Sequence, residues 1–161
     1  MKRKAFISYA MQDSEQYVLT LLSDLLRSEK FVIDSSFDDY SNVVSQSAFK
    51  KINDSSLFIG LITEFGSRNK NVFNEWKLAV EKKIPSLLLV EDTVSINDSL
   101  TNHPNVLIFD RHYPQAGLNK ITSQLNKAKR LIDKKSNENA LGWILGGAAA
   151  LAIISLLSSD D

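Results

Sequence analysis

Five short apolar runs separated by helix-length amphipathic stretches predict an α/β fold: a flavodoxin-like five-stranded parallel sheet with helices on both faces, plus one C-terminal hydrophobic helix. Three observations carry this. The runs at 4–10, 31–33, 57–62, 86–90 and 106–109 are nearly continuous in apolar residues, as strands buried on both faces are. Strands alternate with helices at short spacings, which implies a parallel sheet covered on both faces, and a loop with Asn102, His103 and Pro104 precedes the fifth strand. Right-handed crossovers leave few topologies, of which the strand order 2-1-3-4-5 is the expectation. Finally, residues 140–157 carry no charge.

Each element has its own signal. The first strand, KAFISYA, gives way to Gln12 and Asp13, and Asp13 or Ser14 caps the next helix. In that helix Tyr17, Val18, Leu21, Leu22, Leu25 and Leu26 recur at helical spacing. Phe31–Ile33 forms a second strand ending at Asp34, and the polar stretch SSFDDYSN follows. A short helix over 45–53 puts Ala48, Phe49 and Ile52 on one face. Leu57–Ile62 is the most apolar run and is placed at the centre of the sheet. The polar loop EFGSRNKN leads to a helix over 72–82, Pro85 introduces the strand SLLLV, and VLIF forms the fifth. The last helix of the domain starts near Leu118 and runs into a basic stretch.

The organisation expected is a domain over 1–126, a basic linker or helix extension over 127–139, a hydrophobic helix over 140–157 and an acidic tail over 158–161. The hydrophobic segment has 18 residues. At about 1.5 Å per residue it spans about 27 Å, just enough for a hydrocarbon core. Trp143 lies near one end, and Lys127, Lys129, Arg130, Lys134 and Lys135 lie upstream, whereas only Ser158, Ser159, Asp160 and Asp161 follow. This bias places the protein in a membrane as a single-pass chain with a cytoplasmic N-terminal domain. Gly142, Gly146 and Ala150 recur every fourth residue, a stripe that permits close helix–helix approach and self-association. The alternative is an apolar helix packed among sister subunits.

Composition removes several function classes. Lys plus Arg and Asp plus Glu both total 19 in 161 residues, so a general nucleic-acid surface is not expected. There is no cysteine, which excludes disulfides, zinc thiolate sites and cysteine nucleophiles. His103 and His112 cannot build a metal cluster alone, and no metal site or cofactor is expected. No phosphate-binding glycine loop follows a strand, and no Ser/His/Asp set is suggested by spacing. In a sheet of this order, ligands bind beyond the carboxyl ends of the strands near the switch in strand order. The loops after Tyr9, Asp34 and Thr63 therefore matter most.

The succession AFISYA with Asp13 beyond it, then SSLFIGLIT, a loop with Ser67, the helix VFNEWKLAV and the strand IPSLLLV resembles the TIR domain family, including its bacterial TIR-like antiviral branch. The resemblance covers about residues 4–126. It implies an enzyme that cleaves or cyclises NAD, with NAD as substrate and not as cofactor. The family's glutamate lies in the helix after the third strand, a position matched by Glu75 with Ala79 one turn later. Breaking the nicotinamide–ribose bond passes through an oxocarbenium-like state. A carboxylate beside the ribose stabilises that charge, and the cationic nicotinamide is already an activated leaving group. By the same resemblance Ser8, Tyr9 and Ala10 lie at the nucleotide pocket. In the loop and helix that follow the third strand, Ser67, Arg68 and Trp76 are candidate substrate contacts, Arg68 toward a pyrophosphate and Trp76 toward a base. The sequence departs from the family at two places. The segment with Asp34, Phe37, Asp38 and Asp39 lacks the Gly and Pro often found in the family's interaction loop, and Asn71 stands where a tryptophan often precedes the glutamate by four residues.

Read without the resemblance, Glu75 is a carboxylate near a helix N-terminus stabilised by the helix dipole, Trp76 is core, Asp13 is a cap, and Ser8 to Ala10 are strand-end packing. Three functions follow: a membrane-tethered NAD-cleaving or NAD-cyclising enzyme of bacterial antiviral defence activated by oligomerisation, a non-catalytic signalling or scaffold module, and a domain whose clustering drives a membrane-disrupting tail.

Overall fold

The structure is a computed structural model describing residues 3–9, 16–35, 44–64, 69–103 and 105–133. The chain runs β1 (Arg3–Ser8), α1 (Gln16–Ser28), β2 (Phe31–Ser35), α2 (Gln46–Asn53), β3 (Leu57–Ile62), α3 (Asn69–Glu81), β4 (Ser86–Glu91), α4 (Asp98–Thr101), β5 (Val106–Phe109) and α5 (Pro114–Asp133). The five strands form one sheet in the order β2-β1-β3-β4-β5, and every pairing is parallel. This is the flavodoxin-like order expected from the sequence. The hydrophobic segment 140–157, with Gly142, Gly146 and Ala150, lies outside the described residues. Among the described residues no helix is long and apolar enough to cross a membrane.

Alternate residues of the strands feed two cores. Ala5, Ile7, Leu57, Ile59, Leu61, Leu87 and Leu89 meet Val18, Leu22 and Leu26 of α1 and Leu118, Ile121 and Leu125 of α5. Phe6, Phe58, Ile62, Leu88 and Val90 meet Ala48 and Ile52 of α2 and Val72, Trp76, Ala79 and Val80 of α3. Strands β3 and β4 are buried along their whole length, which is why their sequences show no polar alternation.

Several elements differ from expectation in instructive ways. Tyr17 shares the helical spacing of α1 yet is 64% exposed, because the buried stripe is Val18, Leu22 and Leu26. Phe49 leaves the core face of α2 and lies half-exposed under the Lys82 ammonium, 5.2 Å from its ring centroid. Helix α2 begins as expected, with the Ser45 hydroxyl accepting from the Ala48 N–H. Helix α5 starts four residues earlier than expected, at Pro114, a residue suited to a first helical turn. The segment before β5, which reads as a loop in the sequence, contains a one-turn helix, α4, capped by Asn97. Helices α1 and α3 end into Lys30 and Lys83, which take left-handed conformations (φ 66° and 57°) where glycine is the usual choice.

One close approach positions the site. Gly60 of β3 pairs with Ser8 of β1. A Cβ on Gly60 would lie 2.8 Å from Leu88 Cδ1 and 3.1 Å from Val72 Cγ1. The missing side chain therefore lets α3 lie tight against the sheet beside Ser8.

Candidate functional site

Helix α3 begins at Asn69, three residues before the sequence expectation. Glu75 is thus in its second turn, beyond the first turn in which a helix dipole acts strongly. The buried stripe of α3 is Asn71, Val72, Glu75, Trp76, Ala79 and Val80. Two of its members, Asn71 and Glu75, are polar and one turn apart, so they face the sheet together at the carboxyl end of β1.

There Ser8, the last residue of β1, donates its hydroxyl to Glu75 Oε2. Asn71 Nδ2 makes a long hydrogen bond of 3.4 Å to Glu75 Oε1. Glu75 is only 1% exposed, as are Ser8 and Asn71. A buried carboxylate needs donors, and here one arrives on each oxygen from a different element. Two hydrogen bonds on opposite oxygens fix the plane of the carboxylate as well as its position. Asn71 Oδ1 is buried with no partner among the described residues. Since Nδ2 faces the carboxylate, the amide orientation is set by chemistry: the reverse would put oxygen against oxygen.

The other sequence candidates fall in three groups. Tyr9 is half-buried at the end of β1 and packs against the α1/α5 core, on the opposite side of the sheet from Glu75. Trp76 is a full member of the core beneath α3, 1% exposed, with its ring edge-on to His103 at a centroid distance of 6.4 Å. Ala10, Ser67 and Arg68 lie outside the described residues, as do Asp13, Phe37, Asp38 and Asp39. His103 is itself buried, and its Nδ1 accepts from the Asn105 N–H at 3.1 Å.

Sequence reasoning passed over two features. In the sequence Asn71 stands out only as a departure from a family pattern; its spacing of four residues from Glu75 is the signal of their contact. A second buried carboxylate, Glu91, ends β4. Arg111 Nε approaches Glu91 Oε1 at 2.6 Å, its Nη2 donates to Oε2 at 3.0 Å, and the Glu64 N–H donates to Oε2 at 2.9 Å. Beside it lies a cavity of about 310 Å³ lined by Glu91, Thr93, Val94, Ile96, Thr101 and Ile108. It does not include Ser8, Asn71 or Glu75. Glu75 lies at the switch between β1 and β3, whereas Glu91 is held in a guanidinium fork.

No family model matches the chain, and no curated protein matches it. Solved structures do. The CMP N-glycosidase BcmB of Clostridium botulinum superposes with a TM-score of 0.55 at 18% identity, covering 74% of this chain and 98% of that one. That likeness establishes a common fold. The TIR domains of the activated Roq1 resistosome, which directly recognises the pathogen effector XopQ, align with a TM-score of 0.43 at 13% identity over 95% of this chain and 84% of that one, too distant to carry an argument.

Proposed function

We propose that this domain breaks the N-glycosidic bond of a nucleotide, with NAD as the substrate and Glu75 as the catalytic carboxylate. The observation that carries the reading is the buried carboxylate itself, held by Ser8 and Asn71 at the strand-order switch. The resemblance of the first-strand and Leu57–Val90 blocks to TIR domains supports NAD. The shared fold with an enzyme whose substrate is CMP supports N-glycosidic chemistry more generally.

In this mechanism the bond between ribose C1′ and the nicotinamide nitrogen breaks, and its electron pair neutralises the pyridinium. The positive charge that develops on C1′ and the ring oxygen faces Glu75. Burial strengthens that interaction, because no bulk water screens it. Water then adds to C1′ and gives up a proton, yielding ADP-ribose; attack by an atom of the adenine or a ribose yields a cyclic or linked product. Ser8 holds the carboxylate in plane. Ala10, Ser67 and Arg68 complete the substrate contacts, with Arg68 toward the pyrophosphate. Trp76 backs the site from the core. Self-association of the domain and of the Gly142/Gly146/Ala150 face, on a membrane reached through 140–157, would cluster copies and raise activity in antiviral defence.

Incubation of clustered full-length protein with NAD, with product analysis, is the test. Wild type is expected to release nicotinamide and Glu75→Gln is not. If CMP is cleaved and NAD is not, the substrate is a mononucleotide, the reading favoured by the near-complete coverage of BcmB. If wild type consumes neither while Glu75→Gln still supports the protein's biological output, the domain is a non-catalytic scaffold, and the clustered tail becomes the effector.

A further inference from the structure

We infer that Asn71 is a specificity-determining residue that reads the ribose 2′-hydroxyl of the substrate, so that the site selects ribonucleotides over 2′-deoxyribonucleotides. The inference rests on the proposed N-glycosidic chemistry at Glu75 and adds to it a second contact and a substrate class.

The argument starts from an unsatisfied atom. A buried amide oxygen without a hydrogen bond costs about 1–3 kcal/mol, and native structures hold few of them. Asn71 Oδ1 is one among the described residues, on a side chain 1% exposed. The rest of the amide is not idle, since its Nδ2 faces Glu75 Oε1. The two atoms belong to one planar group, so the waiting acceptor lies next to the carboxylate. An acceptor waits for a donor. This excludes a phosphate oxygen, which only accepts when ionised, and fits a sugar hydroxyl.

Among the sugar hydroxyls, chemistry selects the 2′. The carboxylate must lie near C1′, where charge develops. The 2′-oxygen is attached to the adjacent carbon, so a group one side chain away from Glu75 meets it first. Hydrogen bonds to the hydroxyl next to the anomeric carbon strengthen as the oxocarbenium ion forms. The contact therefore acts on the rate and not only on binding. A site whose buried acceptor loses its donor also rejects the analogue that lacks it. Ser8 meets the other carboxylate oxygen, Glu75 Oε2, to which it donates its one proton, whereas the unpartnered acceptor lies on the Oε1 side with Asn71.

The test compares wild type with Asn71→Leu, which is close in size and cannot hydrogen-bond. Base release is measured as kcat/KM on NAD and on NAD lacking the 2′-hydroxyl of the nicotinamide riboside, and on CMP and dCMP. The ratio of riboside to deoxyriboside rates is compared between the two proteins, which cancels the intrinsic lability of each bond. The ratio is expected to fall by about ten- to hundredfold in Asn71→Leu, mostly through the riboside rate. A ratio unchanged within about twofold, with wild type active, overturns the role of Asn71 and leaves the proposed chemistry standing. Absence of base release from every substrate by wild type overturns both. If Asn71→Leu does not fold, wild type alone decides. A ribonucleotide analogue with a carbon–carbon glycosidic link should inhibit base release about tenfold more strongly than its 2′-deoxy counterpart, and equal inhibition overturns the inference.

Discussion

Two carboxylates lie buried at the carboxyl edge of the sheet, each 1% exposed, and they are held in different ways. Glu91 is gripped by the guanidinium of Arg111 through two nitrogens and by the Glu64 N–H. These partners tie the end of β4 to the segments that follow β3 and β5. The fork cancels the charge of Glu91 where it stands. Among the contacts described for Glu75 are a hydroxyl and a side-chain amide, neutral donors that orient a carboxylate. Burial alone therefore says little about function. The kind of donor is what differs between the two, and the proposed roles follow that difference.

The largest expected effect separates the two by activity. Glu75→Gln should lower base release by about 10³-fold or more, while shifting stability by no more than about 1 kcal/mol in urea denaturation, because the amide keeps the shape and most of the hydrogen bonds. Near-wild-type turnover in that variant would make Glu75 a second clasp. Next, Arg111→Ala should lower stability by about 2–3 kcal/mol, since it strands the Glu91 carboxylate; the value is below that of a fully buried pair because the Arg111 side chain is 24% exposed. Gly60→Ala should cost about 1–3 kcal/mol through the overpacking its Cβ creates at Val72 and Leu88. Its activity should drop further than its stability accounts for, as α3 moves away from Ser8; a parallel loss of both would detach the close approach from the site. Ser8→Ala should reduce base release about tenfold by freeing one carboxylate oxygen. The smallest effect is expected at Tyr113→Ser, within about 0.5 kcal/mol and without change in turnover, because Tyr113 is solvent-exposed.

Much of the scaffold was legible because buried parallel strands write themselves as unbroken apolar runs. Leu57–Ile62 and Val106–Phe109 appear at their observed limits for that reason. Crossover handedness narrows the topologies without choosing among them, and the observed order is the flavodoxin-like one expected from those left. Helical faces are less legible: the spacing of α1 does not reveal which of two adjacent apolar rows turns inward, so it does not separate the exposed Tyr17 from the buried Val18. Helix α4 escaped notice because one turn has no periodicity. At the site, Glu75 was reached through a family likeness and not through its own surroundings. Its donors are 67 and four positions away in sequence, and the distant one is visible only once β1 pairs with β3. Glu91 and Arg111 went unnoticed since their pairing depends on where β4 and β5 end.

The strand order has a consequence for the chain as it is synthesised. Strand β1 gains β2 as a neighbour once residue 35 is available, but β3, its other neighbour, is complete only at residue 62, and α3 only at residue 81. Until then Ser8 has no carboxylate to hold. A nascent or truncated chain ending before α3 contains a paired N-terminal β-α-β unit and none of the chemistry assigned to Glu75. Since domains fold as their segments emerge, the Ser8–Glu75 contact is missing from unfinished copies by topology alone.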